Sequence, residues 1–207
     1  MIHYAMKTDE TNALFVWKLS ALWVFGCPFC CEGCMSAYTK SIQNDRTACA
    51  SELAQEFIRA RNSKGLLISG GEPFLQANEL FRLVRAIRKE RKEYPIIVYT
   101  GYEFEKLKKM AATQKKIADF LSVIDVLIDG RYMDSLNDDK RRFIGSSNQR
   151  VINLSGYFSD EFLAHVYDEG ERMIEYREDF DTVKIIGVPT RKQLQELNEL
   201  IGNLEDT

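Results

Sequence analysis

The stretch GCPFCCEGC, residues 26–34, holds four of the chain's five cysteines within nine positions, and Cys49 alone stands apart. Gly26, Pro28 and Gly33 punctuate it. It therefore reads as a loop, because glycine permits close backbone approach and proline fixes a turn. Residues 19–25, LSALWVF, are an apolar run directly upstream and read as a strand that delivers the chain into the loop.

The rest of the composition limits what such a loop can do. With 207 residues and 45% hydrophobic content, the chain can bury one sizeable core, and a single domain over 1–207 is expected. Lysine and arginine number 28 against 31 aspartate and glutamate, so no broad basic surface is available and nucleic acid is an unlikely partner. The apolar stretch ALFVWKLSALWVF follows acidic Asp9 and Glu10, is interrupted by Lys18 and has no small-residue cleavage site after it. No run reaches the ~18 apolar residues of a membrane span. A cytoplasmic protein with reduced thiols and no membrane partner is expected.

In that compartment a disulfide is disfavoured, since Cys30 and Cys31 are adjacent and the cysteine count is odd. Structural zinc stays open but lacks a second Cys or His pair, because the two histidines, His3 and His165, lie near no cysteine. A redox dithiol at Cys27 and Cys30 leaves two thiols unexplained. Inert buried cysteines seldom cluster in a Gly/Pro loop. An iron–sulfur cluster uses the loop best: Cys27, Cys31 and Cys34 form C-x-x-x-C-x-x-C, three thiolates for one cubane, with the fourth iron left open for chemistry.

Three further strand ends carry glycine or polar residues. In KGLLISGGEPFLQ a strand at 66–69 runs into Gly70, Gly71, Glu72 and Pro73 ahead of a helix at 75–91; YPIIVYTGY ends at Thr100, Gly101 and Tyr102; VIDVLIDGRY ends at Asp129, Gly130 and Arg131. With helices at about 47–62 and 103–122 and strands at 96–100 and 124–129, the alternation predicts parallel β/α units whose site lies at the strand C-termini. Asp129 suits two ribose hydroxyls, and Arg131, two residues on along an extended chain, suits a carboxylate. FIGSSNQRVINL adds six consecutive small or hydrogen-bonding residues, Gly145 to Arg150, more than a simple turn needs.

The cysteine spacing is similar to that of the radical S-adenosylmethionine (SAM) enzymes. With ISGGEP, YTGY, LIDGRY and the 143–154 segment, the region from about Leu19 to Leu154 resembles the activating enzymes of anaerobic ribonucleotide reductases. The resemblance implies an α/β fold of radical SAM type, a partial (β/α) barrel of roughly six strands, with a motif-bearing core at about 14–154 and a C-terminal extension at about 155–207. It implies a [4Fe–4S] cluster on Cys27, Cys31 and Cys34, and SAM held by Gly70, Gly71, Glu72, Thr100, Gly101, Asp129, Arg131, Ser147 and Asn148. In such enzymes reduced SAM yields a 5′-deoxyadenosyl radical, which takes hydrogen from a glycine of the partner reductase. A glycyl radical enzyme and an electron donor such as flavodoxin or ferredoxin are the implied partners.

The chain departs from that branch at Met35 and Ser36, where an aromatic residue or His and then Asn are usual, and at Ile144, where Arg is common. It also continues for some fifty residues past Leu154, through a helix at 159–170, a strand at 172–177, TVKIIGVP and a last helix at 190–204. A single-cluster enzyme acting on a peptide, nucleotide or other small substrate is the alternative, and an iron–sulfur electron carrier without SAM chemistry the second. Cys30 and Cys49 are expected to be bystanders.

Overall fold

A computed structural model describes residues 1–41, 46–168, 170–179 and 182–205. Strands β1 (Ile2–Thr11) and β2 (Leu19–Val24) run antiparallel, and β3 (Arg46–Ala48) pairs with the other side of β1. Beyond β2 come β4 (Leu66–Gly70), β5 (Ile96–Tyr99) and β6 (Val126–Asp129), each parallel to its neighbour, and then β7 (Arg150–Asn153), antiparallel to β6. The sheet thus has seven strands rather than roughly six, in the order β3-β1-β2-β4-β5-β6-β7, with a parallel centre. Its pairing leaves β3 and β7 as edges, so a closed barrel is not formed by these hydrogen bonds.

The central strands are buried on both faces, as parallel strands covered by crossover helices are. Alternate residues serve two cores. Leu22, Val24, Leu66, Ile68, Ile96, Val98 and Leu127 face the first, while Ala21, Trp23, Leu67, Ile97, Val126 and Ile128 face the second. Helices α1 (Ala50–Arg59), α2 (Ala77–Glu90), α3 (Phe104–Ala111) and α4 (Lys115–Leu121) cover the first core. In α2 the buried positions are Ala77, Leu80, Leu83, Val84 and Ile87, the spacing of one helical stripe. Each such large side chain contributes about 1.5–3 kcal/mol on burial.

The second core is closed by chain outside the β/α units. Leu14, Phe15, Phe143 and Ile144 pack there with Leu163 and Tyr167 of α5 (Asp160–Tyr167). Ile186 joins them from β9 (Thr182–Ile186), which pairs antiparallel with β8 (Glu175–Asp179) ahead of α6 (Arg191–Glu205). The C-terminal extension therefore packs on this face.

Several boundaries differ from those read in the sequence. The helix expected at 47–62 starts at Ala50, because residues 46–48 form β3 and Cys49 caps the helix: its N–H donates to Glu52 (2.8 Å). Of the helix expected at 159–170, α5 spans 160–167, and Glu169 lies outside the described residues. The strand expected at 172–177 is β8, which begins at Glu175. No described helix is long and apolar enough to cross a membrane.

Asp125 ties three elements together where β6 begins. Its Oδ2 accepts from Ile96 N–H (2.7 Å) and Arg88, and its Oδ1 from Ser155 Oγ (2.6 Å). It is 3% exposed. Removing one partner of a buried pair leaves the others unsatisfied, so Asp125→Ala is expected to lower the unfolding free energy by about 3 kcal/mol. Urea denaturation checks this, with a lower midpoint and an unchanged slope.

Candidate functional site

Because β2, β4, β5 and β6 are parallel, their C-terminal ends meet along one edge of the sheet, the usual site-bearing edge of α/β folds. The cysteine loop leaves β2 there and is tied down by the segment after β4. Gly71 N–H donates to Val24 O and Glu72 N–H to Gly26 O, each at 2.7 Å. A Cβ on Gly71 would stand 2.2 Å from Gly26 O, and Gly70 adopts φ +99° against Val24. Only glycine fits this approach. Gln76 adds a clamp, bonding Phe25 O (3.0 Å) and both polar backbone atoms of His3 (2.9 Å each).

The loop and the strand ends enclose a cavity of about 180 Å³. Cys27, Cys31 and Cys34 line it together with Gly70, Gly71, Thr100, Gly101 and Arg131, so eight of the twelve expected site residues meet in one space. All five cysteines are free. Burial pushes the Cys27 thiol up, opposed by the Phe29 N–H. The Cys31 thiol is raised by burial and by Cys34, against the pull of Arg131, Lys40 and the Tyr132 N–H.

No three His, Cys, Asp or Glu side chains among the described residues converge on one point where a single ion would sit. The three thiols surround a space instead. A lone zinc draws its ligands to about 2.3 Å of a common centre, whereas a cluster distributes its thiolates over separate irons. Three soft thiolates lining one cavity are the donor type that an iron–sulfur cluster takes.

A groove of about 1070 Å³ adjoins the cavity and shares Phe29, Cys31, Gly101, Gly130, Arg131 and Tyr132 with it. The cavity alone falls below the ~300–1,000 Å³ usual for a cofactor-sized ligand, so such a ligand needs both spaces. Asp129 and Asn148 line the groove rather than the cavity. Arg131 shares Asp129's groove although the chain between them is not extended, since Gly130 sits at φ +96°. Both Asp129 oxygens already take protein donors: Oδ2 the Phe104 N–H (2.7 Å), Oδ1 the Arg150 Nε (3.0 Å). A carboxylate has about four lone-pair positions, and a further contact with Arg150 Nη2 at Oδ2 makes three occupied. The Asn148 amide donates to Arg131 O (2.9 Å), while its Oδ1 is buried with no partner. That orphaned acceptor fits a ligand donor.

Two expected residues stand elsewhere. Ser147 is exposed and lines neither space; its N–H donates to Leu136 O (2.8 Å). The Glu72 carboxyl turns inward instead of lining either space and accepts from Phe74 N–H (3.0 Å), Thr100 Oγ1 (2.9 Å) and Gly101 N–H (2.8 Å). It thus joins the end of β5 to the loop after β4.

Phe29, Gln149 and the Gly187–Val188 pair were not foreseen. The Phe29 ring lies where a Gly101 Cβ would meet it at 2.5 Å, packs edge-on to Tyr102 (4.9 Å) and sits under the Arg131 guanidinium (5.3 Å). Its place inside the cysteine loop was the one available signal. Gln149 bonds Gly145 and Ser146 N–H (3.1 Å each) and Gly130 O (3.1 Å). It was one of the six residues singled out, with no role attached.

Burial pushes the Glu72 carboxyl up from 4.5 to about 7, and its hydrogen bonds only partly oppose this. The folded chain then binds this proton more tightly than the unfolded chain does. The stabilisation is complete below about 4.5 and is lost as pH rises through about 7, by up to about 3 kcal/mol. Urea denaturation between pH 5 and 8 should show this fall, and Glu72→Gln should flatten it.

Residues 18–152 match the family described as "4Fe-4S single cluster domain". The anaerobic ribonucleoside-triphosphate reductase-activating protein of Enterobacteria phage T4 is 32% identical over 139 residues, covering 63% of this chain and 80% of the phage protein. Its Escherichia coli K12 namesake is 33% identical over 140 residues, 64% of this chain and 86% of that protein, and the Haemophilus influenzae one 29% over 137 residues, 63% and 84%. The chain thus belongs to the 4Fe-4S single cluster domain family and stands with the anaerobic ribonucleoside-triphosphate reductase-activating proteins, the radical SAM branch that its motifs resemble.

Proposed function

We propose that this chain is a radical SAM activating enzyme that installs a glycyl radical on an anaerobic ribonucleotide reductase. The observation that carries the reading is the meeting of Cys27, Cys31 and Cys34 with Gly70, Gly71, Gly101 and Arg131 around one cavity that continues into a groove. In this reading the open sheet works as a partial barrel of radical SAM type, in the cytoplasm, with flavodoxin or ferredoxin as electron donor.

Cys27, Cys31 and Cys34 would hold a [4Fe–4S] cluster. When bound and reduced, that cluster would supply the one-electron chemistry by which SAM is cleaved and a hydrogen atom is taken from the partner's glycine. Protons leave the thiols as metal binds, and Arg131 and Lys40 assist that loss at Cys31 by their charge. The N–H groups of Gly71 and Glu72 are engaged with the cysteine loop, which leaves the carbonyls of Gly70 and Gly71 to accept from the methionyl amine. Arg131 forks onto the carboxylate. Along the groove, Asn148 Oδ1 accepts from the ligand, and Asp129 offers its remaining lone pair to a ribose hydroxyl. Glu72 acts behind this surface by holding the Gly101 N–H and the cavity-lining Thr100 hydroxyl in place; Ser147 lines neither space.

The test is to mix the anaerobically reconstituted, reduced protein and SAM with an anaerobic ribonucleotide reductase and record the electron paramagnetic resonance spectrum. A doublet glycyl signal is expected, absent with Cys27→Ala, Cys31→Ala or Cys34→Ala and retained with Cys30→Ala and Cys49→Ala. Cleavage of SAM with no radical on the reductase would move the reading to a peptide, nucleotide or other small substrate. Failure to cleave SAM at all would leave an iron–sulfur electron carrier.

A further inference from the structure

The chain past residue 152, where the family match ends, returns to the cysteine cavity. Gly187 and Val188 line that cavity, directly after β9. Gly187 adopts φ +136°, and a Cβ there would stand 2.7 Å from Met173 O, so the backbone passes against the chain that leads into β8.

One buried cation holds the segment. Arg172 is 8% exposed, and among the described residues no carboxylate accepts a hydrogen bond from it; its guanidinium donates to the carbonyls of Arg141 (2.7 Å), Ile144 (2.9 Å), Val188 (3.2 Å) and Pro189 (3.3 Å), and to that of Asp138. It thereby links the turn at 138–144, whose next residue Gly145 also lines the cavity, to Val188 on another wall. A second anchor lies at the start of α6. Arg191 donates to Asp134 O (2.7 Å) and Asp134 Oδ2 (3.1 Å), and its N–H to Asp139 Oδ1 (3.0 Å). Arg172 and Arg191, which flank Val188 and Pro189 in space and in sequence, thus bind the same 134–144 stretch.

We propose that residues 187–191 form a strap at the cysteine cavity, that Val188 decides how bulky a group can reach Cys27 and Cys34, and that Arg172 is the positioning residue that holds Val188 there. On the function proposed above, and only for the identity of the visitor, that group is an extended peptide segment centred on glycine, which presents a backbone without a side chain. The strap belongs to this chain's extension and adds a size filter to the shared core.

The test needs neither cluster nor SAM, so its failure is separate from failure of the activase reading. Metal-free, reduced protein is alkylated under anaerobic conditions with iodoacetamide or with a maleimide carrying a bulky fluorophore, and labelling is followed by mass spectrometry. Cys49, outside the cavity, is the internal reference. The bulky-to-small labelling ratio at Cys27 and Cys34 should rise about fivefold in Val188→Ala and in Arg172→Ala, because access then depends on the local opening that the strap restrains. Cys30, in the groove, should not respond. If Arg172→Ala unfolds the chain, Cys49 labelling accelerates too, and Val188→Ala alone decides. An unchanged ratio at Cys27 and Cys34 in Val188→Ala, with wild-type Cys49 labelling, overturns the proposal.

Discussion

Two backbone hydrogen bonds, Gly71 N–H to Val24 O and Glu72 N–H to Gly26 O, hold the loop after β4 against the start of the cysteine loop. They extend the β2–β4 pairing past the end of the sheet, so the loop is positioned by the same ladder that builds the core. The approach works because two glycines face each other: a side chain at Gly71 would occupy the space of Gly26 O. From this contact follow the placement of the three thiols and the cavity between them and the neighbouring strand ends.

Glu72 carries the constraint sideways. A carboxyl buried among the Phe74 and Gly101 N–H groups and the Thr100 hydroxyl fixes the end of β5 relative to that of β4. The same burial raises its affinity for a proton. Around the thiols the balance is similar, with desolvation favouring the protonated form and nearby cations opposing it at Cys31. The hydrogen bonds around Glu72 fix the strand ends before anything binds, which lowers the cost of ordering when a ligand arrives.

Much of this was legible in the residues. The parallel strands read as apolar runs because each is buried on both faces, and the glycines at 70, 71 and 101 marked the strand ends. β1 was not legible: its pairing with β2 has irregularities between Tyr4 and Met6 and between Thr8 and Thr11, which break the alternation that would have announced a strand. The inward turn of the Glu72 side chain, the exposure of Ser147 and the Asp129–Arg150 pair depend on contacts between distant segments, to which local pattern is blind. The same holds for Val188, brought to the cavity by a buried arginine bound to backbone carbonyls that no motif encodes.

The most direct measurement on the central contact is the iron content and ultraviolet–visible spectrum of Gly71→Ala after anaerobic reconstitution, beside wild type. The account predicts about four irons per wild-type chain and less than about one in the variant, with the far-ultraviolet circular dichroism of the sheet and helices preserved. A folded Gly71→Ala protein that binds about four irons with a wild-type spectrum would contradict it.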